Sequence, residues 1–381
     1  MKDLTRGNPI KLILAFTIPL LIGNVFQQLY STMDMVIVGK TLGKTALAGV
    51  GSTGSLSFLI IGFAIGLTSG LSIVTAQKFG AKNYRAVKKS FATSIVLSIM
   101  VSLVLTILSV SFVHPLLVLM QTPSEIMPSA EGFIRIIFLG IFASMTFNLL
   151  SNALRSLGNS TLPLVFLIIA CVINIALDLI FILVFKWGVQ GAGIATVTAQ
   201  IIASLFCVLY IWRKVPLLQV RKQDFQLTKQ DLIEHARIAF PMAFQASIIA
   251  IGAVILQSAL NSLGTNAVAA QTAGGRIDQF ATLPMMSFGV TMATFVAQNY
   301  GAKQYLRILD GVQKGLILSV SFSVAAGAFV IIFGKNLAQF FVSAKDTEVL
   351  NLVQTYFNIN ASMYFILAIL FILRYALQGL G

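Results

Sequence analysis

Residues 12–38 read LILAFTIPLLIGNVFQQLYSTMDMVIV, an apolar run carrying a single acid, Asp34, close to its end. A helix crosses the hydrocarbon core of a bilayer with about 20 such residues. The stretch is therefore a spanning segment, and Asp34 is a charge placed where charge is costly. A second acid, Asp178, lies in another apolar run, Asn174-Ile175-Ala176-Leu177-Asp178-Leu179-Ile180. A carboxylate at mid-membrane costs about 2.5–3.5 kcal/mol on insertion scales, so it turns toward a bundle interior or a watery cavity and marks a functional position. The competing reading is a structural Asp satisfied by neighbouring hydroxyls or amides.

Composition extends this reading to the whole chain. Of 381 residues, 57% are hydrophobic and 10% charged, and the mean hydropathy is +0.91. A soluble domain carries about 25% charged residues. The net charge of +14 does not point to nucleic acid, because the basic residues gather in short segments between apolar runs. Cys171 and Cys207 both lie in apolar runs and read as small core residues, with neither disulfide nor metal spacing. The N-terminal residues lack a small-residue cleavage site, so no removable signal peptide is expected.

Working outward, apolar runs fall at about 12–38, 47–76, 91–119, 130–153, 162–186, 190–212, 238–262, 267–298, 311–342 and 350–377. These predict ten spans in an all-α polytopic membrane protein, with Pro19, Pro241 and Pro284 as bend points. The polar stretch 213–237 reads as a linker, a solvated loop or a short amphipathic surface helix. Orientation follows from Lys and Arg. One side holds Lys2, Arg6 and Lys11; Lys78, Lys82, Arg85, Lys88 and Lys89; Arg155; the linker's Arg213, Lys214, Arg221, Lys222, Lys229 and Arg237; Lys303, Arg307 and Lys314; and Arg374. The other holds only Lys40, Lys44, Lys186, Lys335 and Lys345. The N-terminus is expected in the cytoplasm.

The chain repeats itself. Gly43, Ala46, Ala48 and Gly54 recur as Gly264, Ala267, Ala269 and Gly275. Residues 76–84, AQKFGAKNY, recur as residues 297–305, AQNYGAKQY, at the same offset of 221. Pro19 is echoed by Pro241. Six spans precede the second copy, so both copies have the same orientation and the halves relate through an axis along the membrane normal, with a site near their interface. Residues 1–212 form a six-helix lobe, 213–237 a cytoplasmic linker and 238–381 a four-helix lobe. Ala153-Leu154-x-x-Leu157-Gly158 matches Ala376-Leu377-x-x-Leu380-Gly381, and two spans follow only the first. The expectation is a twelve-span fold of which 6 + 4 are present, tested by reading the coding frame beyond codon 381.

These motifs resemble the multidrug and toxic compound extrusion (MATE) family over the whole chain, up to the tenth of that family's twelve helices. The resemblance rests on Pro19 with Gln27-Gln28 and Met33-Asp34-Met35-Val36-Ile37-Val38-Gly39, on Gln77-Lys78-Phe79-Gly80-Ala81-Lys82, on Asn174-Ile175-x-Leu177-Asp178-x-x-Phe181, and on Gly191-Ala192-Gly193-Ile194-Ala195-Thr196. The pattern is closer to the branch typified by DNA-damage-inducible bacterial members. It implies efflux of organic, often cationic, compounds driven by inward H+ or Na+. Carried over by position, the cation-coupling residues are Asp34, Asn174, Asp178 and Thr196. The helix-seven Glu of some members is absent, with Gln257 and Asn261 in that span, and helix ten has no acid.

The residues read alone reach the same place. Asn174 and Asp178 are i and i+4 and share a helix face. Asp34 and Asp178 both fall in the outer half of their spans at about 1.5 Å per residue. Such a pair can carry a proton, or with Asn174 and Thr196 wrap Na+, and the sequence does not choose. Candidate cavity residues are Gln27, Gln28, Asn148, Asn152, Gln200, Gln257, Arg276 and Asp278, with Gln245 and Asn261 beside them, each alternatively a helix–helix hydrogen bond. Arg276 and Asp278 read as an ion pair or a gate. Met33, Met35, Met285, Met286 and Met292 read as an adaptable surface or as packing.

Other functions fit less well. A lipid-linked oligosaccharide flippase needs a basic cavity, whereas the spans hold Arg135 and Arg276 against Asp34, Asp178 and Asp278. An intramembrane aspartyl protease would show Gly-x-Gly-Asp, but Ala176-Leu177 precede Asp178. A channel explains sparse single acids poorly. There is no Walker A pattern, catalytic triad, metal cluster or nucleic-acid motif. The expectation is a monomeric, non-enzymatic transporter of the cell membrane, with no cofactor beyond the coupling H+ or Na+.

Overall fold

A computed structural model of the chain describes residues 3–261, 263–342 and 346–381; the side chains of residues 254, 257, 258, 261 and 265 also lie outside the described set. Lys2, Lys345, and the side chains of Gln257 and Asn261, fall among the residues outside it. The described chain is helical: α1 Pro9–Leu42, α2 Lys44–Ser52, α3 Gly54–Gly80, α4 Tyr84–Ser111, α5 Val113–Leu119, α6 Met127–Leu139, α7 Ile141–Ser156, α8 Thr161–Leu179, α9 Gly188–Lys214, α10 Lys229–Asn261, α11 Thr265–Gly301, α12 Tyr305–Ala338, α13 Thr347–Asn360 and α14 Tyr364–Leu380.

Among the described residues nine helical stretches are long and apolar enough to cross a membrane, and the bent pair α6 and α7 supplies a tenth. These coincide with the ten apolar runs. Large apolar side chains face outward in number, among them Ile107, Val184, Ile248, Leu309 and Ile332. A water-facing surface does not gather so much of its apolar area in this way, whereas a lipid-facing one does. Pro19, Pro241 and Pro284 sit inside helices that continue past them. The sharp break falls at Gly140, between α6 and α7, which meet at 47°. A Cβ there would lie 2.2 Å from Val197 of α9, so the missing side chain lets α9 press into the bend.

The repeat in sequence is a repeat in space. Gly43 and Gly264 turn with φ of 86° and 91°, and Lys82 and Lys303 both close their helices in the left-handed region at 57° and 59°. The halves meet most closely where the matched motifs meet. A Cβ on Gly80 would stand 1.8 Å from the Gln298 carbonyl oxygen, and one on Gly301 would stand 1.8 Å from that of Gln77. Only glycine permits this reciprocal backbone approach. The same glutamines tie the halves together. Gln77 Nε2 donates to the carbonyls of Gly379 (3.0 Å) and Leu380 (3.1 Å), and Gln298 Nε2 donates to that of Ser156 (2.8 Å). Leu4 is buried against this seam, its N–H bonded to Gln298 Oε1 and its carbonyl to Asn299 Nδ2.

The linker's basic residues Arg213, Lys214, Arg221, Lys222, Lys229 and Arg237 are exposed, while its apolar residues dock. Val215 and Leu218 are buried in a core with Val87, Phe91 and Leu154. The start of α10 is pinned by ion pairs Lys78–Glu234 and Lys89–Asp231, both 2.6 Å. Such half-exposed pairs contribute little each; the buried His235, bonded to Ser90 Oγ at 2.7 Å, fixes the position more firmly.

Candidate functional site

Three hydrogen bonds run along the antiparallel contact of α1 and α11. Nearest the glycine seam, Thr17 Oγ1 meets Thr291 Oγ1 (2.8 Å), fully buried. Next, Asn24 Nδ2 donates to Ser287 Oγ (3.0 Å), partly buried. Farthest, Gln279 Nε2 donates to Gln28 Oε1 (2.9 Å) and is exposed. The contact between the halves is thus buried at the Lys82/Lys303 end and grows more exposed toward the other. Asp34 lies beyond Gln28 on α1, about 38 Å of helix from Pro9 at 1.5 Å per residue.

In the first half α1, α8 and α9 bring the four expected residues together. Asp178 and Asn174 are fully buried on the face of α8 that meets α1, and Asp34 is close enough to Asp178 for direct interaction. Asn174 Nδ2 donates to Thr196 Oγ1 (3.4 Å), and Thr196 donates to the Ala192 carbonyl (3.0 Å). Four buried oxygens have no donor among the described residues: Asp34 Oδ1, Asn174 Oδ1, and both oxygens of Asp178. An unsatisfied buried acceptor costs about 1–3 kcal/mol, and more when charged. Four on adjoining helices form a set of bare oxygens suited to a proton or a small cation. Directly after Asp178 the helix widens into a π-turn, Ile180–Val184, a feature frequent at functional sites.

Tyr30 also belongs to this group and was not singled out by sequence reasoning. Its hydroxyl donates to Thr196 Oγ1 (3.2 Å). The signal was its i, i+4 spacing to Asp34, which places both on one face of α1.

The remaining candidates scatter. Asn148 donates to the Ser144 carbonyl of its own helix. Asn152 bridges α7 to Thr68 and Ser69 of α3 and accepts from Arg155, a packing arrangement away from the carboxylates. Gln245 accepts from Gln378. Gln27 is exposed and Gln200 half-buried. Met285 and Met292 are fully buried in packing cores, while Met33, Met35 and Met286 are exposed.

Arg276 and Asp278 are not ion-paired. Arg276 lines an apolar groove with Phe280, Phe329 and Phe340. Asp278 instead accepts from the hydroxyls of Tyr356 and Tyr364 and from Asn360 Nδ2. The spacing of two residues explains the difference, since i and i+2 point to different sides of a helix.

A family model described as MatE matches residues 19–180 and 241–381. The matched blocks begin at Pro19 and Pro241, where the internal repeat also places its two copies. Among curated relatives, the probable multidrug resistance protein YoeA of Bacillus subtilis (strain 168) is 29% identical over 87% of this chain and 73% of its own length. YpnP of the same organism, also a probable multidrug resistance protein, is 27% identical over 100% of this chain and 84% of its own. A solved outward-facing multidrug resistance MATE family transporter of the MOP superfamily superposes with a TM-score of 0.93 at 24% identity, over 100% of this chain and 84% of that one. Fold, repeat and family match agree: the chain belongs to the MatE family of membrane transporters.

Proposed function

We propose that this protein is a secondary active efflux antiporter of the cell membrane, with a cytoplasmic N-terminus, exporting organic and often cationic compounds in exchange for H+ or Na+. The observation that carries this reading is the group of bare buried oxygens on Asp34, Asn174 and Asp178. Two carboxylates with no donors lower their cost by binding a cation, and each returns to the costly state when it leaves. That is the requirement for coupling an ion gradient to a change of shape. Thr196 and Tyr30 orient the group. The lobes 1–212 and 238–381, of six and four helices, rock about the seam at Gly80 and Gly301. The burial of the seam at the Lys82/Lys303 end and its exposure at Gln28 and Gln279 fit a state closed on the cytoplasmic side. Support for the cargo comes from relatives described as multidrug resistance and multidrug export proteins.

The test is dye efflux in everted vesicles with a pH gradient or a Na+ gradient imposed separately. One gradient is expected to drive efflux, and Asp34→Asn is expected to abolish it while the protein remains folded in the membrane. Full gradient-driven efflux in that variant would remove Asp34 from the mechanism. Absence of efflux under both gradients would shift the reading to lipid translocation.

A further inference from the structure

We propose that the cytoplasmic end of the seam between the halves binds a soluble phosphate-bearing anion through Arg6, Lys82 and Lys303, and that the bound anion holds this end shut. The site itself is independent of the cargo. Its effect on transport rests on the rocking of the two lobes.

A cavity of about 380 Å³ lies at this end of the seam. Small-molecule sites begin at about 300 Å³. Its walls come from three parts of the chain: Thr5 and Arg6 before α1, residues 80–82 at the end of α3, and residues 301–304 at the end of α11. Arg6, Lys82 and Lys303 are all exposed. None of them has a carboxylate within 4.0 Å among the described residues. One acid stands near, since Asp3 feels the charge of Lys82 and Arg6. Its Oδ1 already accepts from the N–H of Thr5 (2.9 Å) and from the Thr5 hydroxyl. Three cations against one occupied acid leave the cavity positive.

The repeat builds the site twice over. Lys82 and Lys303 hold matched places in AQKFGAKNY and AQNYGAKQY, and both sit in the left-handed region, at φ of 57° and 59°. That conformation is uncommon for a residue with a side chain. It closes both helices on themselves: the carbonyls of residues 77–79 and 298–300 accept from the N–H groups of residues 81–83 and 302–304. The last carbonyls of a helix repel an anion, and here they are occupied. Arg6 is brought to the cavity by Leu4, which is buried in the seam and bonded to Gln298, Asn299 and Arg307. The orientation rule accounts for basic residues on this side, but not for three of them converging on one cavity.

The chemistry matches a phosphate. Arg takes two phosphate oxygens at once and Lys adds a point charge. The two lysines belong to opposite halves, at the point where Gly80 and Gly301 rest on the opposite backbone. The cavity therefore lies between the halves rather than on the lipid-facing surface, which favours an anion from the cytoplasm over a lipid headgroup. An anion touching both lysines is held only while the seam is closed. A ligand that binds one state stabilises that state by mass action.

The experiment titrates sodium pyrophosphate into the protein in phosphatidylcholine nanodiscs by isothermal calorimetry. Saturable one-to-one binding is expected. Lys82→Gln and Lys303→Gln are each expected to weaken it roughly tenfold to a hundredfold, the loss of one charged partner, and to a similar degree. Lys335→Gln, at the far end of α12, is expected to leave it unchanged. No saturable binding, or equal loss in all three variants, would overturn the site. Loss of pyrophosphate binding in phosphatidylglycerol nanodiscs would give the cavity to a lipid headgroup and overturn the soluble ligand. Gating is read in everted vesicles, where pyrophosphate in the bath reaches the cytoplasmic face. At ten times Kd it is expected to slow gradient-driven dye transport by up to about tenfold, and to leave the rate of the Lys82→Gln, Lys303→Gln double variant unchanged. Undiminished transport by the wild type would overturn the gating role. No dye transport even without pyrophosphate would sink the transporter reading, and the calorimetry would still decide the site.

Discussion

The two halves share a sequence motif and a helical plan, yet they treat their carboxylates in opposite ways. In the first half Asp178 is fully buried and neither of its oxygens has a donor, and Asp34 beside it keeps one bare oxygen. In the second half Asp278 is half-buried and accepts from Tyr356, Asn360 and Tyr364. A bare pair is unstable as two charges and gains by taking up a cation. A carboxylate dressed by neutral donors is stable as it stands and presents a constant field. Duplication supplied one scaffold twice.

The largest expected effect tests what the halves still share. Gly80→Ala and Gly301→Ala each put a methyl group 1.8 Å from a backbone oxygen of the opposite half. Backbone there cannot move aside cheaply, and overpacking costs about 1–3 kcal/mol or more. Both variants should lose efflux at least tenfold, and to a similar degree, with normal membrane insertion. Alanine favours a helix over glycine by about 1 kcal/mol, so unchanged or improved function would show that the close seam is not part of the cycle. Unequal losses would show that the seam is not symmetric in function.

A smaller effect sharpens the difference between the carboxylates. Tyr364→Phe removes one of three donors from Asp278. The unfolding free energy in detergent should fall by about 1.5–3 kcal/mol, the worth of a hydrogen bond to a charged group, and the choice of coupling ion should not change. A switch in the driving ion would mean that Asp278 belongs to the coupling machinery after all.

The smallest expected change is at the edge of the bare group. Tyr30→Phe removes the donor to Thr196 but leaves Thr196 bonded to Asn174 and to the Ala192 carbonyl. Gradient-driven efflux should fall by about two- to tenfold, as for a neutral hydrogen bond. Complete loss would promote Tyr30 from orienting group to essential ligand.

Much of the fold was legible because apolar runs of spanning length can be read one by one. The runs 162–186 and 190–212, for example, fall on α8 with its π-turn and on α9, to within a few residues. Bends were less legible. Proline suggests them at three positions, and a further one, the sharp break at Gly140, arises where a neighbouring helix presses on a residue without a side chain. Asp34 and Asp178 could be named because acids in apolar runs stand out, and Asn174 and Thr196 because the family resemblance places them by position. Tyr30, Tyr356, Asn360 and Tyr364 could not, because a Tyr or Asn in a spanning helix is unremarkable until its partner is known.

The sequence by itself determined that the chain lives in a membrane, crosses it about ten times, repeats itself at an offset of 221 residues and carries acids inside its spans, Asp34, Asp178 and Asp278 among them. Those properties are local or periodic, and hydropathy, spacing and identity express them directly. Tertiary structure alone decided which acid is bare and which is dressed, that Arg276 and Asp278 do not pair, and that Gly80 and Gly301 each rest on the opposite half's backbone. Such properties depend on what lies across a helix contact, from residues tens to hundreds of positions away in the chain, and no one-dimensional pattern records the direction in which a side chain finds its partner.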